Sequence, residues 1–156
     1  MIPSSTHAHF EQKPEHMQGP LLIESICVLD GIPRRLAYHQ TRMDDAHRRL
    51  WGLSNVVDLH SLLQAPPRYR HGLVKCRITY GPDVVKIEWE RYTLATVRSL
   101  QLVDGGSLDY AFKYADRSGI ARLMQLRGEA DDILIVQDGL ITDTSYCNVV
   151  CFDGSR

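Results

Sequence analysis

The sequence predicts an α+β protein built on antiparallel pairing. Three observations carry that expectation. Asp30-Gly31 and Asp138-Gly139 each join two strand-like runs, the strongest short-range hairpin signal. Apolar residues at helical spacing fall in separate blocks instead of following every strand. The resulting order, ββααβββ then αββ, is not the βαβ alternation of a doubly wound sheet.

Each element has a local cause. Leu21 to Leu29 (LLIESICVL) is apolar and β-branched, and reads as a strand. After the Asp30-Gly31 turn, Ile32 to Ala37 is the expected return strand. Met43, Ala46 and Leu50 then sit at i, i+3 and i+7, with Gly52 as a C-cap. Ser54 is placed to cap a second helix holding Val56, Val57, Leu59, Leu62 and Leu63, which Pro66-Pro67 ends. Three strand-like runs follow: Leu73 to Tyr80, Val84 to Tyr92 and Val97 to Val103. Asp104-Gly105-Gly106 breaks the pattern and is the expected domain boundary. Beyond it come a helix over Ala115 to Arg127, a buried strand from Asp132 to Val136, and a return strand from Leu140 to Phe152. The organisation expected is a polar, disordered leader over 1–19, a small N-terminal domain over 20–104, and the start of a second domain over 105–156.

Composition narrows the function classes. With 156 residues, 44% hydrophobic and 24% charged, the chain can bury a sizeable core. A net charge of -1 argues against nucleic acid or an anionic membrane as partner. No run approaches the roughly 18 apolar residues that span a bilayer. The leader has no apolar signal core, so the expected location is cytoplasmic. Cys27, Cys76, Cys147 and Cys151 form no CxxC pair and are expected to be buried reduced thiols, with Cys147 and Cys151 on one strand face. His7, His9 and His16 lie in the leader without a carboxylate or cysteine cluster, and His39, His47 and His60 match no metal-ligand spacing, so no metal site is expected.

The segment from Phe112 to Phe152 carries the chemistry. Lys113 opens it, and Asp143 and Asn148 follow the second hairpin turn, five residues apart. A lysine that can form an imine and an acid that can hold a protonated ring nitrogen are the minimal kit for pyridoxal phosphate chemistry. Each residue also has a plain reading. Lys113 fits a surface lysine before a helix, and Asp143 fits a turn or cap residue beside Thr144 and Ser145. Asn148 reads as a buried amide bracing an apolar run. Arg42 fits a solvated helix with Arg48 and Arg49, and His39 a structural residue at the helix start. Arg77 fits a cross-strand partner of Glu88 or Glu90. Trp51 and Trp89 read as core, and so do Tyr114 and Tyr146 unless they edge the cofactor.

From about Leu21 onward the chain resembles the class IV aminotransferases, the branched-chain and D-amino-acid aminotransferase-like family that includes aminodeoxychorismate lyase. The likeness rests on Lys113, the Asp143-x-x-x-x-Asn148 spacing after the DG hairpin, Glu24-Ser25 in the first strand, and His39-Gln-Thr-Arg42-Met43. The resemblance implies a small N-terminal α/β sandwich domain followed by part of a larger antiparallel β-rich domain. It implies Lys113 as the Schiff-base lysine and Asp143, where the family usually has glutamate, as partner of the pyridinium nitrogen. Arg42 would contact the cofactor phosphate, Asn148 would shape the turn under the ring, and Arg77 would face a substrate carboxylate. It further implies pyridoxal 5'-phosphate as cofactor, a small amino substrate, and a homodimer. Family members continue with a TP…GxxR segment that forms much of the phosphate cup; the sequence ends at Gly154-Ser155-Arg156, so those donors are not expected here. Two functions follow: a transaminase or pyruvate-eliminating lyase, or a cofactor-free homologue or fragment serving as a dimerising scaffold.

Overall fold

The computed structural model describes residues 19–54 and 57–155. The expected leader over 1–19 with its histidines, apart from Gly19, and Val56 lie outside those residues. The elements are β1 (Leu22–Leu29), β2 (Ile32–Pro33), α1 (Leu36–Trp51), α2 (Leu59–Leu62), β3 (Leu73–Tyr80), β4 (Val84–Arg91), β5 (Leu100–Asp104), α3 (Ser118–Met124), β6 (Asp132–Gln137) and β7 (Leu140–Thr144). They form one sheet in the order β2-β1-β3-β4 and a second in the order β5-β6-β7.

The first sheet is antiparallel throughout. Leu22, Ile26 and Val28 of β1 share a face with Val74, Cys76, Ile78 and Tyr80 of β3, and all are buried. Met43, Ala46 and Trp51 of α1 pack with them, as do Leu59 and Leu63. Glu24 occupies the same inward phase of β1 and is fully buried. The opposite face carries Ser25, Cys27, Lys75 and Arg77. Val84, not Val85, pairs with Tyr80, because the register shifts at Thr79–Tyr80; Val85 is left exposed.

Both Asp-Gly turns have two positive φ angles, 51° and 78° at Asp30-Gly31 and 50° and 76° at Asp138-Gly139. That is the primed turn whose twist matches the strands it joins. Gly52 caps α1 at φ 66°, its N–H reaching the carbonyls of Arg48 and His47.

Several expected elements are corrected. β2 stops at Pro33, which has no N–H for the ladder, and Arg35 then turns left-handed (φ 54°) into a helix that begins at Leu36, well before Met43. α2 is a single turn capped by Asp58, which accepts from the His60 N–H, not a longer helix capped by Ser54. α3 is shorter than Ala115 to Arg127, because Asp116 takes the Ser118 N–H in a tight local turn. The third strand begins at Leu100 and leaves the N-terminal set: β5 pairs parallel to β6. Sequence adjacency to β3 and β4 suggested otherwise, but the Ser99 carbonyl and the Asp131 carboxylate lock the ends of β5 and β6 together. β7 ends at Thr144, whose hydroxyl takes the Cys147 N–H and closes a turn. Cys147 and Cys151 are therefore exposed and outside the strand, Cys27 is exposed too, and only Cys76 is buried, its thiol pushed up to about 12 by burial. Trp51 is core; Trp89 is half-buried against it.

β5 and β6 bury Val103, Ile133 and Ile135 against Leu108, Leu123 and Met124. The segment that carries Lys113 joins the two sheets. The Ile23 N–H donates to the Lys113 carbonyl at 2.8 Å, the Ala115 N–H donates to the Leu21 carbonyl at 2.7 Å, and Tyr114 bridges Leu22. The short β2 pairs only with Val28 and Leu29, so the first half of that β1 edge is open to receive this segment.

Candidate active site

β1 separates two cavities because its side chains alternate between faces. A cavity of about 180 Å³ on the helix side is lined by Leu22, Arg42, Tyr80, Lys113, Asp143 and Asn148, among others. A larger one, about 520 Å³, opens on the other face against Cys27, Arg77, Tyr92, Arg117 and Tyr146, and Lys113 lines it as well. Strand addition to the β1 edge sets Lys113 at the junction between them.

Lys113 is half-buried, and desolvation lowers its pKa. The Arg42 and Arg117 cations lower it further, while Glu24 and Asp143 oppose them. The amine is thus neutral more readily than a solvated lysine, as a nucleophile or base requires. Asp143, near the end of β7, is pushed up by burial; the Thr144 N–H at 3.0 Å and the Lys113 and Arg117 cations pull it back. A cationic N–H docked in the cavity would offset that desolvation penalty.

Arg42 is held from below. Its Nε donates to Glu24 Oε1 at 2.7 Å and its Nη2 to Glu24 Oε2. His39 Nδ1 lies 2.6 Å from the same Oε2. Burial raises the Glu24 carboxyl, but the bonds from Arg42 and His39 outweigh it and leave the group lowered. The bond to Glu24 raises Arg42 in turn. Among the described residues Arg42 Nη1 has no hydrogen-bond partner.

Four of the expected residues, Arg42, Lys113, Asp143 and Asn148, are therefore brought together in one cavity. Asn148 is exposed, not buried as its apolar neighbours suggested, because β7 has already ended. It lines a second recess of about 520 Å³ with Arg35, Tyr38, His39 and Arg42, so Arg42 and Asn148 form the wall between that recess and the smaller cavity. Arg77 lies apart from these four, across β1 in the larger cavity. It stands opposite Glu88 in register, but Glu88 pairs with Lys86 and Glu90 with Lys75. Tyr146 is exposed and lines the larger cavity, whereas Tyr114 packs against the core.

Sequence reasoning missed Arg117, Tyr110 and the role of Glu24. Arg117 donates to the Tyr110 hydroxyl at 2.9 Å and to the Ser145 carbonyl, tying the Lys113 segment to the turn after β7. Its signal was weak, an arginine shortly after the lysine. Glu24 carried a clearer one: an acid in the inward phase of an apolar strand requires a buried partner. Among the described residues, no cluster of three His, Cys, Asp or Glu is placed to hold a metal ion, and no helix is long and apolar enough to cross a membrane.

This fold has counterparts. No family model matches the sequence. An uncharacterized protein of Haemophilus influenzae is 32% identical over 137 residues, which is 86% of this chain and 73% of the relative. The structure of a candidate 4-amino-4-deoxychorismate lyase from Haemophilus somnus superposes with a TM-score of 0.68 at 27% identity, over 83% of this chain and 69% of that one. An aminotransferase from Brucella abortus, solved bound to the cofactor PLP, superposes with a TM-score of 0.53 at 16% identity, over 80% of this chain and 55% of that one, a likeness of fold alone. The chain has the mixed α+β fold of these aminodeoxychorismate lyase and aminotransferase structures, the class IV fold. It spans little more than half of the Brucella chain and about two thirds of the Haemophilus somnus one.

The donor set fits pyridoxal phosphate at two of its ends. A desolvated amine and a half-buried carboxylate share one cavity, and Arg42, whose Nη1 has no partner among the described residues, stands at the wall. Arg42 and Asn148, which line the adjoining recess, would be the donors available to the cofactor phosphate.

Proposed function

We propose that the protein is a pyridoxal-phosphate-dependent enzyme acting on an amino acid or on aminodeoxychorismate, by transamination or by pyruvate elimination. One observation carries the reading: Lys113 lines both cavities and shares the smaller one with Asp143, Arg42 and Asn148. The cofactor, when bound, supplies a protonated aromatic ring that accepts the negative charge developing at the substrate Cα. Asp143 would hold the ring N–H through a charge-assisted bond. Arg42 would meet the phosphate, with Asn148 beside it. Lys113 would move the proton at the substrate Cα, which its lowered pKa favours near neutral pH. Arg77, on the far side of β1, would orient a substrate carboxylate in the larger cavity. The likeness to a candidate 4-amino-4-deoxychorismate lyase supports the lyase branch. A homodimer in the cytoplasm is the setting we propose with it.

The test is spectroscopic. Purified protein mixed with pyridoxal phosphate should develop an absorbance band that borohydride removes, with the label mapping to Lys113. Lys113→Ala should abolish both. A protein that stays colourless with added cofactor, or a label spread over Lys75 and Lys86, overturns the reading in favour of a cofactor-free scaffold.

A further inference from the structure

We infer that Glu24 is a positioning residue that fixes the Arg42 guanidinium for an anionic phosphate, and so gives the site its preference for the phosphorylated form of the cofactor. This rests on the pyridoxal phosphate reading above.

The argument starts from phase. Glu24 shares the inward phase of β1 with Leu22, Ile26 and Val28, so its side chain points into the core and is fully buried. An isolated carboxylate there would be expensive. It is offset by donors that converge from the helix above. His39 and Arg42 are three residues apart on α1 and so present one face to the strand. Glu24 Oε1 accepts from Arg42 Nε at 2.7 Å, and Oε2 accepts from Arg42 Nη2 and faces His39 Nδ1 at 2.6 Å. Two nitrogens of the fork are thereby fixed and its plane is set. Nη1 has no hydrogen-bond partner among the described residues, and Arg42 lines the recess shared with Asn148.

Arginine needs such a grip. The Arg42 side chain is 48% exposed, and a long side chain that open to water samples many rotamers when nothing holds it. Its neighbours do not hold it: Asp45 is taken by Arg48, and Asp44 by Gln40. Glu24 also subtracts a charge from the site, which opposes anion binding. Three nitrogens of Arg42 and His39 already meet that carboxylate, and Glu24 is not among the residues that line the recess. Geometry therefore dominates over net charge.

The amide isostere separates the two effects. Glutamine keeps one acceptor oxygen but aims an NH₂ group at donors, so it cannot accept from Nε, Nη2 and Nδ1 together. Affinities for pyridoxal phosphate and for pyridoxal are measured by absorbance in the intact protein, in Glu24→Gln, in Arg42→Met and in the double variant. Glu24→Gln should weaken pyridoxal phosphate by about tenfold or more, as loss of an orienting partner does elsewhere, and leave pyridoxal within about twofold. In the Arg42→Met background the same change should leave the ratio of the two affinities unmoved. If Glu24→Gln does not fold, Glu24→Asp replaces it, with the charge kept and the carboxylate withdrawn by one methylene, and the same selective loss is expected. Equal weakening of both aldehydes, no weakening of either, or a full effect in the Arg42→Met background overturns the inference. So does an intact protein that binds both aldehydes equally, although it leaves the enzyme reading standing. An intact protein that binds neither overturns both.

Discussion

Replacing Glu24 by glutamine should destabilise the protein in a way that disappears in acid. The carboxylate is fully buried and meets two donors of Arg42 and one of His39. Removing one partner of a fully buried ion pair costs about 3–5 kcal/mol. Here Arg42 is half open to water and can rehydrate, whereas His39, at 17% exposure, rehydrates less. The expected cost at pH 7 is therefore at the lower end, about 3 kcal/mol. Urea denaturation of both proteins followed by circular dichroism reads it directly. The pH dependence has a definite sign. Arg42 and His39 overcome the burial penalty and depress Glu24 in the folded state, so its contribution is present above the ordinary glutamate range near 4.3 and fades as pH falls through the depressed folded value. The gap between the two proteins should close over that acid window. A cost below about 1 kcal/mol at pH 7, the size of an exposed pair, or a gap that stays constant into acid, would refute the account of Glu24 as a buried, donor-held carboxylate.

Two further outcomes are expected. Arg77→Gln should raise KM for a carboxylate-bearing amino substrate by roughly tenfold or more, the loss of one charge-assisted hydrogen bond of about 1.5–3 kcal/mol, with little change in cofactor absorbance; steady-state kinetics that leave KM unmoved would remove Arg77 from the substrate side. Gly139→Ala should cost about 1–2 kcal/mol in urea denaturation, because φ is 76° there while nothing lies within 4 Å of the added Cβ; a neutral substitution would mean that the turn relaxes to another type.

Local chemistry made much of this protein legible from its residues. Both Asp-Gly hairpins, the Gly52 cap, β3 and β6 fall within a residue or so of where turn chemistry and alternation set them. These signals are short-range: a positive φ or a period of two is decided by a few neighbouring residues. Lys113, Asp143 and Asn148 could be singled out by type and spacing and Arg42 by the family resemblance, and the four do share a cavity. What escaped was long-range. No local signal told β5 to leave the strands before it and pair parallel with β6, since that pairing depends on residues some thirty positions away. The end of β7 was hidden by an apolar run that the Thr144 turn interrupts, which is why Asn148 and Cys147 turned out exposed.

By itself the sequence determined where the chain turns and which side chains offer an amine, an acid and an amide, because those properties belong to single side chains and to tight backbone geometry. Only the tertiary structure decided that Lys113 stands between two cavities, because that position comes from two backbone hydrogen bonds to an edge of β1 that the two-residue β2 leaves uncovered. Likewise, only packing turned Glu24 from an acid in an apolar strand into the anchor of Arg42, since it takes a helix laid over that strand to bring the two donors down onto it.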